Sequence, residues 1–113
     1  MTSNDERAHK IAALNDTFRT GLPAGGRVLV TAGVDAMGAE FVAAALAKVR
    51  SFDTFGAGND PHGEHDFGAF ELGGEKLFWK IDYYDRDEQH GAEDPSDASK
   101  TLRVLTVMLA EEY

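Results

Sequence analysis

Apolar side chains near the start of the chain recur at helical spacing. Ile11, Leu14 and Phe18 are three or four positions apart, so they would share one face of a helix. Gly21 follows this stripe and is a typical helix end. We therefore predict a first helix over about residues 4–20.

A short apolar run and a second helical stripe come next. Residues 27–31 read Arg-Val-Leu-Val-Thr, a β-branched segment that is apolar on both faces and predicts a buried strand. Beyond it, apolar positions such as Phe41, Ala45 and Val49 keep a period near 3.6. This pattern predicts a second helix over roughly residues 35–51.

A pair of glycines then separates two strand-like segments. Gly73-Gly74 lies between residues 67–72 and 75–84, which is typical of an antiparallel hairpin with a two-residue turn. Pairing outward from this turn puts Trp79 on the buried face. The same register sets His65 opposite Asp82, on the other face of the hairpin.

The segment from residue 98 to the end fits two kinds of element. Leu102, Leu105 and Met108 recur at helical spacing, whereas Val104 and Thr106 are β-branched and allow a strand. We favour a helix and keep a strand as the alternative.

These elements predict a single α+β domain over residues 1–113. Its order is helix, strand, helix, antiparallel β-hairpin and C-terminal element, and the first ten residues could fray. A length of 113 residues with 42% hydrophobic side chains suits one modest core.

Composition and charge exclude several classes of function. The chain has no cysteine, so it has neither disulfides nor a thiolate site. It contains no apolar run long enough to span a membrane and no visible secretory signal, so we expect a cytoplasmic protein. The net charge is −9, which argues against direct binding of nucleic acid. Residues 51–113 carry fifteen acidic and five basic side chains, against five and six in residues 1–50.

This acidic half suggests a surface that binds a protein. The acids of residues 82–97 are almost unopposed in the sequence, and the outer hairpin face mixes aromatic and charged side chains, a composition found at interface hot spots. The binding residues that we predict are Phe67, Lys80, Asp82, Tyr84, Asp85, Asp87, Glu88, Glu93 and Asp94.

A histidine-containing turn offers weaker chemical alternatives. His65 facing Asp82 could act as a base with its orienting carboxylate, and Glu64 is a further catalytic candidate. His62, His65 and Asp66 are the candidate metal ligands. Pro61 and Gly63 prevent a helix here, so the ligands would be poorly preorganised. We predict no metal and no cofactor.

Six segments of the chain carry a family resemblance. They are LND (14–16), VTAGV (30–34), NDP (59–61), GEHDFG (63–68), FWKIDYYD (78–85) and RVLTVMLAEEY (103–113). With them the chain resembles the domain of unknown function 3768 from about Ile11 to Tyr113. The resemblance implies a small bacterial protein, mostly alphaproteobacterial and frequent on plasmids and other mobile elements. It brings no activity and no catalytic residue.

That setting suggests a function. Small acidic proteins of mobile elements are often inhibitors of host defence, of the anti-restriction or anti-CRISPR type. The leading hypothesis is therefore a non-enzymatic acidic binding protein that contacts a nucleic-acid-handling complex by charge mimicry or direct protein contact. One alternative is a small metal-assisted enzyme centred on His65 and Asp82. A second alternative is a homodimeric structural subunit.

Overall fold

The computed structural model describes residues 3–113, with side chains from residue 5 onward. The sequence suggests fraying over residues 1–10, and residues 1 and 2 of this range lie outside the described residues. The described elements are α1 (Ser3–Thr20), β1 (Arg27–Val30), α2 (Ala32–Asp35), α3 (Ala39–Arg50), β2 (Phe67–Leu72), β3 (Glu75–Tyr84), β4 (Leu102–Leu109) and a final 3-10 turn (Ala110–Glu112).

The four strands form one mixed sheet in the order β1-β4-β3-β2. The strand β1 runs parallel to β4, and the other neighbours are antiparallel. Helices combined with this sheet confirm the predicted α+β class. None of the described helices has the length and apolar character needed to cross a bilayer.

The hairpin register is the predicted one within the paired strands. Phe67 faces Lys80 and Leu72 faces Glu75 across the Gly73-Gly74 turn. Trp79 is fully buried on the side that also carries Leu77 and Ile81, as the sequence predicted.

The C-terminal element is a strand, so the helix favoured from the sequence was wrong. The strand β4 lies between β1 and β3 and is buried on both faces over most of its length. A central strand of this kind loses the strict alternation that normally distinguishes a strand from a helix. The β-branched Val104, Thr106 and Val107 were the correct signal.

The predicted second helix is divided in two. The short α2 ends at Asp35, and α3 begins at Ala39 after Gly38. Gly38 has a φ of 102°, a backbone conformation that residues with a side chain rarely adopt. This geometry ends the helical backbone between α2 and α3.

One hydrophobic core joins the helices to a single side of the sheet. Strand residues such as Trp79, Leu105 and Val107 cluster with Val34 of α2 and Val49 of α3. Burial of an aliphatic or aromatic side chain of this size contributes about 1.5–3 kcal/mol. The core therefore fixes which side of the sheet the helices cover.

A glycine permits the closest packing in that core. Gly68 lies opposite Trp79 in the register, and a Cβ at this position would overlap the Trp79 indole and the Phe52 ring. Phe52 meets the indole edge-on, with ring centroids 5.5 Å apart. The indole therefore occupies space that any other residue at position 68 would need.

Candidate binding face

The side of the sheet away from the helices is the candidate binding surface. Side chains alternate between the two sides of each strand, so the neighbours of Trp79 and Val107 point away from the core. We call this side the open face. Its members are Arg27, Leu29, Phe67, Ala69, Glu71, Lys76, Phe78, Lys80, Asp82, Tyr84, Leu102, Val104, Thr106 and Met108.

Large apolar side chains are exposed on or beside the open face. Leu29 is 50% exposed and Tyr84 is 36% exposed. Tyr113, which follows the 3-10 turn, is 76% exposed and lies against Phe67 and Phe78, with ring centroids 6.0 and 5.4 Å away. Exposed large apolar side chains on one side of a sheet are typical of interaction sites in soluble proteins.

A charged pair crosses the middle of the open face. The ammonium Nζ of Lys80 lies 2.8 Å from Oδ2 of Asp82, and both side chains are partly exposed. The hydrogen bond to Asp82 raises the pKa of Lys80 above its ordinary value. Lys80 therefore stays charged, and the surface offers both signs of charge beside its aromatic groups.

The Tyr84 end of the open face contains a shallow pocket of about 280 Å³. Leu29, Tyr84 and Val104 line it together with Arg27 and Glu88. An ion pair of 2.6 Å joins the last two side chains across the edge strand. The pocket brings apolar and charged groups together at the point where the acidic segment leaves β3.

The acids of residues 82–97 are less free than their sequence suggested. Glu88 pairs with Arg27, and Asp94 lies 3.5 Å from Arg7 of α1. Both basic partners come from distant parts of the chain, so sequence proximity could not reveal them. These pairs are exposed, so each contributes little to stability.

Three acids of this segment also hold its backbone. Asp85 accepts a hydrogen bond from the amide of Gln89. Asp94 and Asp97 each accept one from the amide two residues later and one from that residue's hydroxyl, which lowers the pKa of both carboxyls. Within the described part of the chain, Asp87 and Glu93 are the acids of this segment without a hydrogen bond or ion pair.

His65 does not face Asp82, which corrects the sequence prediction. The strand pairing ends at Phe67, and a φ of 56° at His65 turns the chain toward the helical side. The imidazole Nδ1 lies 3.0 Å from the carboxylate of Asp16, and Nε2 lies 3.7 Å from Asp60. The pair that would have formed a base and its orienter is therefore not formed.

Aromatic stacking fixes the ring of His65 in this place. Its imidazole lies parallel to Phe55, with centroids 4.0 Å apart. Asp16, its carboxylate partner, also contacts the guanidinium of Arg19 at 3.1 Å. Both ring nitrogens face carboxylates, and the arrangement connects the long loop before β2 to α1.

Glu64 belongs to a partly buried polar network. The side-chain amide of Asn15 donates to the Glu64 backbone carbonyl at 2.9 Å and to the Tyr83 hydroxyl at 2.8 Å. That hydroxyl donates to the Glu64 carboxylate at 3.0 Å. Burial is the main cause that raises the pKa of Tyr83. Arg103 completes the network by donating to Asn15 at 2.6 Å.

Asn15 and Arg103 are polar groups of the interior, and Asp16 is the partner of His65; none of the three was predicted from the sequence. A signal was present, because Asn15 lies on the apolar stripe of α1 and is fully buried. A polar residue on such a stripe requires a buried partner.

The metal candidates do not form a metal site. Within residues 5–113, no three His, Asp or Glu side chains are arranged to hold one ion. Asp66 has a raised pKa, caused first by its own burial and then by the charges of Glu64 and Asp60. His62 lies at the surface beside Pro61.

Comparison with known proteins gives one match. The family model described as "Protein of unknown function (DUF3768)" matches residues 30–112. Searches of the curated proteins and of the solved structures found no match.

Proposed function

We propose that this chain, which belongs to the DUF3768 family, is a non-enzymatic binding protein whose open face docks on a basic protein partner. The observation that carries the proposal is the open face itself, where Leu29, Tyr84 and Tyr113 are exposed on the side away from the helices. Aromatic anchors surrounded by charged groups are the usual composition of binding hot spots.

Charge complementarity supports a basic partner. The chain has a net charge of −9, and the acidic segment begins at the Tyr84 end of the open face. Its two uncommitted acids, Asp87 and Glu93, are exposed. Opposite charge steers association and is screened by salt. The expected partner therefore presents an apolar patch bordered by lysine or arginine.

The finer proposal concerns biological setting. We propose that the chain is a cytoplasmic protein of a mobile element and that its partner is a nucleic-acid-handling defence complex, because such complexes present basic grooves for phosphates. Within the described acidic segment, only Asp87 and Glu93 are free carboxylates, so apolar contact contributes more to this binding than charge mimicry.

The metal-assisted alternative loses its central pair, because His65 faces Asp16 and Asp60 while Asp82 pairs with Lys80. Nothing in the geometry favours an enzyme built on these residues. The homodimer alternative would use the same open face and is an outcome of the following test.

The test compares exposed apolar residues on and off the open face. Tagged chain captures partners from a bacterial lysate at about 50 and about 500 mM salt, where screening differs strongly. We expect Leu29→Ser with Tyr84→Ser to abolish capture of a specific protein. Met37→Ser is the matched control, since Met37 is 43% exposed in the turn between α2 and α3.

The outcomes separate the candidates. A partner that is held by the wild type and the control, lost by the double variant and weakened by salt supports the proposal. A partner that the double variant still captures contradicts it. Light scattering of the purified chain decides whether the open face pairs two copies instead.

The defence setting needs a cellular measurement. Phage plating efficiency is compared in hosts with an active restriction or CRISPR system, with and without the chain. We expect the wild type and Met37→Ser to raise plating and the Leu29/Tyr84 variant not to. Unchanged plating in every tested system would remove the inhibitor proposal and leave the binding face to be judged by the capture experiment.

A further inference from the structure

A second candidate site lies away from the open face. It is a cleft of about 420 Å³ between the C-terminal half of α1, the loop that follows α1, Arg86 and the segment 98–103. Leu14 and Phe18 supply apolar walls, and Arg86 and Arg103 supply guanidinium groups. None of the open-face residues lines this cleft.

Arg103 is a buried cation without a contacting counter-ion. It is 6% exposed, and it donates to the side-chain oxygen of Asn15 at 2.6 Å and to the carbonyl of Pro95 at 2.5 Å. Its guanidinium also lies 5.3 Å from the centroid of the Tyr83 ring. All three partners are neutral, and no described carboxylate lies within 4.0 Å. Burial lowers the pKa of Arg103, and the charge of Glu64, which is not in contact, offsets this only in part. A buried charge without a contacting opposite charge carries a desolvation cost that an anion would offset.

Arg86 brings a second guanidinium to the same cleft. Its Nε donates to the carbonyl of Ser99 over a long 3.4 Å, and within residues 5–113 it forms no ion pair. The last carbonyls of α1 do not serve as partners of these guanidinium groups. The carbonyls of Thr17, Phe18 and Arg19 accept hydrogen bonds from the amides that close the helix. Two arginines that form no ion pair with the described residues, one exposed and one buried, therefore line one cleft of a strongly acidic protein.

We propose that this cleft binds a small organic anion: a carboxylate or phosphate monoester attached to an apolar group. The oxyanion would lie between Arg86 and Arg103, because guanidinium groups match carboxylate and phosphate oxygens in a bidentate geometry. The apolar group would contact Leu14 and Phe18. A volume of about 420 Å³ falls within the range of small-molecule sites, roughly 300–1,000 Å³.

The test titrates the full chain with phenyl phosphate and with benzoate, followed by NMR of backbone amides and arginine Nε–H groups. Benzyl alcohol is the neutral probe of similar shape. We expect saturable shifts at Phe18, Arg86 and Arg103 with at least one anion. Arg86→Gln should weaken that binding at least about tenfold, since it removes a charge-assisted contact.

Two further variants keep the result interpretable. Lys100→Gln removes an equal charge from an exposed neighbour outside the cleft and should leave binding unchanged. Ala98→Trp fills the cleft from an exposed lining position without a change of charge, and it should abolish binding.

The proposal is overturned if neither anion gives saturable shifts, if benzyl alcohol binds as tightly as the anions, or if Arg86→Gln binds like the wild type. The tighter of the two anions identifies which oxyanion the cleft accepts. None of these results depends on the open face, so the two proposals fail or stand separately.

Discussion

At the scale of single residues, one amide side chain connects the first helix to the sheet. Asn15 donates to Tyr83 and to the Glu64 carbonyl, and it accepts from the buried guanidinium of Arg103. The three contacts span 49, 68 and 88 positions of the chain. A polar group buried at this depth stabilises the fold only while all of its partners are present.

Asn15→Ala should therefore be strongly destabilising. The substitution leaves a guanidinium nitrogen of Arg103 and a backbone carbonyl without partners, and we expect the free energy of unfolding to fall by about 2–4 kcal/mol. Urea denaturation measures this change.

Thr17→Ala is the control on the same helix. Thr17 is exposed, and its hydroxyl bonds only to the local Ala13 carbonyl. Its loss should cost less than about 0.5 kcal/mol. Equal effects of the two substitutions would show that the network around Asn15 adds nothing beyond helix propensity.

At the scale of elements, local signals predicted α1, β1 and the hairpin, and long-range contacts decided β4 and the break between α2 and α3. The Gly73-Gly74 turn specified the pairing of β2 with β3 because a two-residue turn fixes the register. The strand character of β4 depends on its place between β1 and β3, which no local pattern reveals. The break at Gly38 likewise depends on a positive φ that the apolar stripe around it masks.

The candidate site divides in the same way. The sequence pattern predicted that Phe67 and Lys80 share one face of the hairpin, and the register confirms it. The place of His65 could not be predicted, since its partner Asp16 lies 49 positions away on α1. The helix-side cleft with Arg103 was also out of reach, because it forms only when α1 meets the segment that leads into β4.

The C-terminal turn is an element that tertiary hydrogen bonds hold in place. One oxygen of the Glu112 carboxylate accepts hydrogen bonds from the Thr31 hydroxyl at 2.6 Å and from the Leu109 amide at 2.9 Å. The other oxygen accepts one from the Gly33 amide at 3.0 Å. The hydrogen bond from Thr31 is the main cause that lowers the pKa of Glu112. A carboxyl with a lowered pKa stabilises the fold above its ordinary pKa, and the effect is lost as the pH falls through the lowered value.

Glu112→Gln should release this turn. We expect faster hydrogen exchange at the amides of Gly33 and Leu109, because the variant removes the charge that both donors contact. As the pH falls through the lowered pKa of Glu112, the wild-type carboxyl takes up a proton, and the difference between the two proteins should shrink. Glu111→Gln is the matched control, and an equal effect there would show that the exchange does not report on the Glu112 contacts.

At the scale of the whole molecule, the two sides of the sheet differ in role: one side forms the core with the helices, and the other carries the proposed binding surface. The helices cover the Trp79 side and complete the core, and the other side keeps Leu29, Tyr84 and Tyr113 in contact with solvent. A net charge of −9 makes two copies repel each other at low salt. Salt should therefore favour any pairing of like copies and oppose binding of a basic partner, which makes the sign of the salt dependence diagnostic.

Reversal of the two uncommitted acids tests how this charge is used. Asp87→Lys with Glu93→Lys should slow association with the captured partner several-fold at about 50 mM salt, and the difference should shrink at about 500 mM because exposed charges are screened. Glu88 and Asp94 are left intact, since their reversal would break ion pairs with Arg27 and Arg7.

The control reverses the same number of charges elsewhere, with Asp35→Lys and Asp53→Lys on exposed positions outside the acidic segment. Stopped-flow association rates at both salt concentrations compare the two double variants with the wild type. Equal slowing would mean that only net charge matters, and no slowing by the Asp87/Glu93 variant would exclude the acidic segment from recognition. A selective loss would show that the segment steers a basic partner toward the Tyr84 end of the open face, where the exposed apolar groups then hold it.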